Sequence, residues 1–233
     1  MSDLIHKMQT QIQTWERADD DRAIFLTCYT MMTANMLRTI AEGGFNDGPW
    51  VEALTHRFAE YYFEALASYE ALEKPPVWTF TFETACNKSV HVLQNLLLGV
   101  NAHICYDLIF ALADSIADEW DHLSETERQE RYADYCKVNT VIGQTLDAVQ
   151  DQVVEKHSRI MIAVDLAFGR LDEWMIHSLI TRWRAQVWDQ CAAYVTAPAD
   201  EKPRLKQSYA DHAEARSRAI QGQRGIRGIV DVF

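Results

Sequence analysis

Residues Val90–Trp120 read VHVLQNLLLGVNAHICYDLIFALADSIADEW, and this stretch decides the fold. At about 100° per residue, Leu93, Leu96, Leu97, Leu98, Val100, Ile104, Leu108, Ile109, Phe110 and Leu112 point in nearly every direction about a helical axis. A surface that is apolar on all sides marks a helix enclosed by protein. Within that cylinder sit Asn95, Asn101, His103 and Asp107. Burying a neutral polar group unpaired costs roughly 2–7 kcal/mol, and a charge costs more. Each of the four therefore needs a partner, a water, a metal or a ligand.

Helical spacing continues on both sides. Leu4, Met8, Ile12 and Trp15 predict a short, peripheral first helix, and the acidic run Asp19–Asp21 suits the N-terminal end of the next. That second helix spans Ala23 to Glu42 and stops at Gly43-Gly44. Asn46-Asp47-Gly48-Pro49 caps and opens a third helix, predicted to reach about Glu73, where Lys74-Pro75-Pro76 breaks it. The central helix is expected to begin after Trp78 and to run as far as His122, with Gly99 as a weak point or a place of close packing. Ser124-Glu-Thr-Glu127 is a capping box that starts another helix, with Tyr135, Val138 and Ile142 on its apolar stripe. A further helical region covers roughly Ser158 to Val195, interrupted near Gly169-Arg170, and carries the aromatic and basic cluster Trp174, Arg182, Trp183, Arg184 and Trp188. A last helix is expected from about Asp200 to Ile220. No stretch alternates as strands do. The expectation is an all-α fold, a single-domain helical bundle packed around a buried central helix, over residues 1–221, followed by a Gly- and Arg-containing C-terminal tail at 222–233.

The 233 residues are 48% apolar and 24% charged, ordinary for a globular protein with a sizeable core. Lys and Arg number 22 against 34 Asp and Glu, and the resulting net charge of -12 opposes nucleic acid as a partner. The N-terminal MSDLIHKMQTQ lacks the basic-then-apolar pattern of a secretion signal, and no run of about 18 uncharged apolar residues reads as a membrane span. A cytoplasmic protein with no membrane partner is expected. Cys28, Cys86, Cys105, Cys136 and Cys191 are odd in number and lack CxxC spacing, which predicts core thiols and neither disulfides nor a zinc knuckle.

NAHICYDL at 101–108, with HRFAEYY about forty residues upstream and Tyr135-Cys-Lys-Val-Asn139 downstream, resembles a family of all-helical bacterial proteins catalogued as a domain of unknown function. The hallmark of that family is a run close to NAHINxDL, and here Cys105 stands where the run usually has asparagine. The resemblance covers most of the chain. It implies an all-helical fold and carries no established activity, so the chemistry rests on the residues.

His103 and Asp107 lie one turn apart on one face, about 6 Å in rise, close enough for the carboxylate to orient the imidazole. Such a pair can act as general acid or base. Arg57 and Tyr61, four residues apart in HRFAEYYFEAL, share a face and become donors to developing negative charge if the third helix packs alongside. Asn101 projects about 160° from His103 and is expected to pair with backbone or with Asn139. The predicted function is a small-molecule enzyme with a buried His103/Asp107 acid–base site in an aromatic-lined cavity, of isomerisation, cyclisation or elimination type, with Tyr61 and Arg57 assisting. Its ligand is small and largely apolar, and no cofactor is expected. One alternative is a hydrolase-like enzyme in which His103 and Asp107 bind a divalent metal, with a third ligand from His56, His157, Asp165, Asp172 or His177. Two others are a non-catalytic helical binding protein and a purely structural buried pair.

Overall fold

A computed structural model describes residues 2–152 and 173–222, which are helical throughout with no strand among them. The helices are α1 (Asp3–Arg17), α2 (Arg22–Ala41), α3 (Gly48–Glu70), α4 (Trp78–Ala85), α5 (Val92–Ala102), α6 (Leu108–Ile116), α7 (Glu125–Gln152), α8 (Glu173–Thr196) and α9 (Lys202–Gly222). The fold is an all-α bundle. The expected interruption at Gly169-Arg170 and the tail beyond Gly222 lie outside the described residues.

The breaks fall where local chemistry puts them. Asp47 caps α3 by accepting a hydrogen bond from Trp50 N at 3.0 Å, with Pro49 in the first turn where no N–H is needed. Ser124 and Glu127 exchange the reciprocal bonds of a capping box ahead of α7. One further cap was not legible as such: His91 opens α5, its Nδ1 accepting from Leu93 N at 3.2 Å while Gln94 returns a bond to His91 N. Asp134 on α7 is also buried, and it accepts from the backbone N–H groups of Asn46 and Asp47 at 2.9 and 2.7 Å, fastening the entry of α3.

α5 and α6 form one rod, joined without a break by a π-turn at His103–Asp107 in which Leu108 N–H reaches back five residues to the His103 carbonyl. No residue from Val92 to Ala113 is exposed. The rod is surrounded by α2, α3, α4, α8 and α9, with α1 packed outside on α2 and α7 lying against α2 and α8. Two bounds of the expected central helix are corrected. Trp78–Ala85 is a separate short helix, because Asn87 and Ser89 form a turn before His91 restarts the chain, and the rod ends at Ile116, with Ala117–His122 in turns.

Among the described residues one helical segment, Val92–Ile116, is long and apolar enough to cross a membrane by length and composition, at a mean hydropathy of 1.7, though it carries Asp107 and Asp114. In the fold its most apolar stretch is 89% buried, as in the core helix of a bundle. The five cysteines are free thiols, but Cys86 is exposed and departs from the expected core placement.

Gly99 is a point of close packing. A Cβ there would lie 2.4 Å from the Phe25 ring of α2, so the rod and α2 approach as they do only because the side chain is absent. Gly99→Ala is expected to displace Phe25 and to cost about 1–3 kcal/mol, as overpacking does. Urea unfolding measures it, and an unchanged midpoint would show that Phe25 has room to move.

Candidate functional site

The π-turn places His103 and Asp107 side by side in the centre of the bundle, 2% and 3% exposed. Such single turns insert one residue into an α-helix and recur at functional sites. His103 Nδ1 lies 2.9 Å from Asp107 Oδ2, and Trp78 Nε1 donates to the same oxygen at 2.8 Å. The indole comes from α4, whose entry is a γ-turn: Val77 has φ 64° and ψ −45°, and Trp78 N–H donates back to the Pro76 carbonyl at 2.6 Å. This left-handed geometry is rare for a β-branched residue and stores strain. It also sets the direction in which Trp78 enters the core.

The imidazole is clamped on its face as well as its edge. Phe58 of α3 stacks on it at a centroid separation of 3.6 Å and an angle of 7°, and Tyr29 of α2 meets it edge-on at 4.4 Å. The remaining ring nitrogen, Nε2, is buried and has no hydrogen-bond partner. Orphaned polar atoms at the centre of a fold are costly; Tyr62 OH and Trp50 Nε1 are others among the described residues, and the His103 ring in addition lines an open place.

That place is a pocket of about 140 Å³, walled by Tyr29, Phe58, Val100, Ile142, His103 and Arg184 among others, so that α2, α3, the rod, α7 and α8 each supply a side. Its other polar walls include Arg184 and Tyr29, whose buried hydroxyl also has no hydrogen-bond partner. Thr33 and Thr55 donate to carbonyls of their own helices, and burial pushes the Cys28 thiol up to about 12 and the Tyr29 phenol well above its ordinary range. No carboxylate lines it among the described residues.

Burial pushes His103 well below the ordinary imidazole value. It also pushes Asp107 well above the carboxylate range, with the Trp78 N–H opposing that rise. Burial disfavours both an imidazolium and a carboxylate, so the ring is neutral and carries a single N–H proton. With it on Nδ1, Nε2 presents a lone pair to the pocket. In that form the ring is a proton acceptor held at a fixed angle.

Arg57 and Tyr61 are placed elsewhere. Both donate to Asp114 Oδ2 at 2.8 Å, and Arg57 also pairs with Glu60 and Glu64, in a partly exposed network that joins α3 to α6. The third helix does pack alongside the rod, but its inward residue at this level is Phe58. The structure thus brings together His103 and Asp107 and leaves Arg57 and Tyr61 outside. Asn101 binds the backbone as expected, donating from Nδ2 to the Ala213 carbonyl of α9 at 2.8 Å and to Ser217 Oγ at 2.9 Å. Asn139 instead accepts from Arg184 Nε at 2.7 Å through Oδ1.

The metal alternative lacks a donor set among the described residues, where no three His, Cys, Asp or Glu side chains gather. His177 Nε2 is 2.9 Å from the Asn139 carbonyl, and His157, Asp165 and Asp172 lie outside the described residues.

Burial also fixes an alkaline limit. The thiols of Cys28, Cys105 and Cys191 are raised from the ordinary 9.0 to about 12. Above pH 9 the unfolded chain gives up protons that the folded chain retains, so stability present below that pH is lost between 9 and about 12. Each group contributes a slope of up to about 1.4 kcal/mol per pH unit. Urea midpoints at pH 8, 9.5 and 10.5 should fall in that order, and a flat series would show the thiols accessible to hydroxide in the native state.

Fold and site define an all-helical protein with a buried His–Asp pair facing an apolar pocket. The chain belongs to a family of unknown function, DUF5995, whose model matches residues 1–223. Comparison with curated proteins and with solved structures gives no match.

Proposed function

We propose that this protein is an enzyme that moves a proton on a small, largely apolar molecule, with His103 as the acid–base group, in a reaction of the isomerisation, cyclisation or elimination type. One observation carries the reading: His103 Nε2 is buried and unpartnered, on a ring that lines the pocket and is locked by Asp107, Trp78 and Phe58. A purely structural histidine would be expected to spend both nitrogens.

In this reading Nε2 takes a proton from the bound molecule. Asp107 Oδ2, which faces Nδ1 and accepts the Trp78 N–H, offsets the positive charge that forms on the ring. Nε2 then returns the proton to another atom of the same molecule. Apolar walls limit water, which strengthens these electrostatic interactions, and the proton held on Nε2 exchanges in part with solvent before it is returned. The proton-accepting form is the neutral ring, whose pKa burial depresses, so the rate is level above pH 6.5 and declines only below it.

Incubation in D₂O with a panel of small cyclic ketones and unsaturated acids tests the reading by deuterium incorporation at carbon, followed by NMR. Incorporation above the buffer rate, with an acid limb below pH 6.5, is the expected result. A panel that stays unlabelled, or labelling that rises as the pH falls, would count against it.

A further inference from the structure

Arg184 is the one charged side chain among the described residues lining the pocket, and it is 4% exposed. Its Nε donates to Asn139 Oδ1 at 2.7 Å and its Nη2 to the Tyr135 carbonyl at 2.8 Å, while the guanidinium lies over the Tyr135 ring at 4.2 Å. Tyr135 OH in turn donates to the Arg184 carbonyl at 2.7 Å. These bonds hold the guanidinium in place with two of its five N–H groups and without a carboxylate. A charge this deep with no counter-ion is costly. Burial accordingly pushes Arg184 below the ordinary guanidinium value, though it stays protonated at neutral pH.

The same pocket is thus lined by a buried arginine without a counter-ion among the described residues and by the His103 ring, with hydrocarbon between them. We infer that its ligand is a small apolar monocarboxylate, held by its carboxylate against Arg184 with its hydrocarbon part among the aromatic and aliphatic walls beside His103. This rests on the proposed proton-transfer reading for the choice of pocket, and adds the substrate class. Arginine presents a planar fork that matches a carboxylate, and such charge-assisted pairs are about twice as strong as neutral ones. Size points the same way. A cavity of about 150 Å³ lined by apolar side chains takes a benzene ring, so a pocket of about 140 Å³ suits an acid of one ring or of about six to eight carbons. A dicarboxylate does not fit, because the lining offers no second cation.

Calorimetric titration of the intact protein with phenylacetate and with phenylacetamide at pH 7 tests this. The two probes are nearly isosteric and differ in charge. The acid is expected to bind at least tenfold more tightly than the amide. In Arg184→Gln acid affinity should fall at least tenfold while amide affinity changes less than threefold; in Arg184→Lys, which keeps the charge, a preference for the acid should persist. Because Arg184 also braces Tyr135 and Asn139, circular dichroism first checks that Arg184→Gln is folded; if it is not, the wild-type preference and the lysine variant decide. Equal affinities for acid and amide in the wild type, or binding of neither, would overturn the inference. The two readings fail separately: a tenfold preference for the acid without deuterium exchange leaves the carboxylate site and removes the proton transfer. Exchange on neutral ketones with no preference for the acid does the reverse.

Discussion

Replacing His103 with glutamine is expected to leave the bundle folded and to slow proton transfer by about 10²–10⁴-fold, the usual loss when a general acid or base is removed. That loss is about 2.7–5.5 kcal/mol of barrier. Glutamine can still donate an amide N–H toward Asp107 Oδ2, where Nδ1 now lies at 2.9 Å, so the carboxylate keeps a second donor beside Trp78. It cannot supply a titrating group in the position of Nε2. Deuterium incorporation and the melting temperature, measured on the same preparation, separate the two roles. A large drop in melting temperature with unchanged exchange would make the pair a structural element of the rod.

Trp78 carries the largest expected effect on stability. The indole is 1% exposed, stacks on Phe82 at 4.9 Å, and packs against Tyr62 and Phe25. Trp78→Ala should cost about 3–5 kcal/mol, as truncation of a buried large aromatic does. Trp78→Phe keeps most of the apolar contact and removes the N–H that serves Asp107, so its cost of about 1–3 kcal/mol isolates the unsatisfied carboxylate. Urea unfolding of both variants gives the two numbers. If Trp78→Phe matches the wild type, the indole acts only as packing and Asp107 is oriented by His103 alone.

The parts of this fold that were legible in the sequence are those set by local chemistry. The all-round apolar projection from Leu93 to Leu112 marked the enclosed rod, and Asp47-Gly48-Pro49, the double proline at 75–76 and the Ser124–Glu127 box marked helix ends. The pairing of His103 with Asp107 followed from their four-residue spacing. What was not legible depended on phase and on distant segments. A projection at 100° per residue assumes a regular α-helix, and the π-turn adds one residue, which rotates everything after Asp107 by about 100° from its expected bearing. Asp114 engages Arg57 and Tyr61 of α3, two residues that the sequence placed near the imidazole.

Non-local partners left no trace at the sequence level. Trp78 stands 29 residues from the carboxylate it serves, and its approach depends on a left-handed Val77 that no propensity favours. The stacking of Phe58 on His103 depends on how α3 crosses the rod. Arg184 was visible in the aromatic and basic cluster of α8, yet nothing in that cluster told the buried arginine from its neighbour Arg182.

The state of the His103 ring itself is the most direct test of the site. Long-range ¹⁵N–¹H correlation spectra of imidazole-labelled protein, with the His103 signals assigned by their loss in His103→Gln, report the protonation of each nitrogen between pH 5 and 8. The expected result at pH 7 is a neutral ring with its proton on Nδ1 toward Asp107 and a bare lone pair on Nε2, persisting as the pH is lowered to 6.5. An imidazolium at pH 7, protonated on both nitrogens, would contradict it.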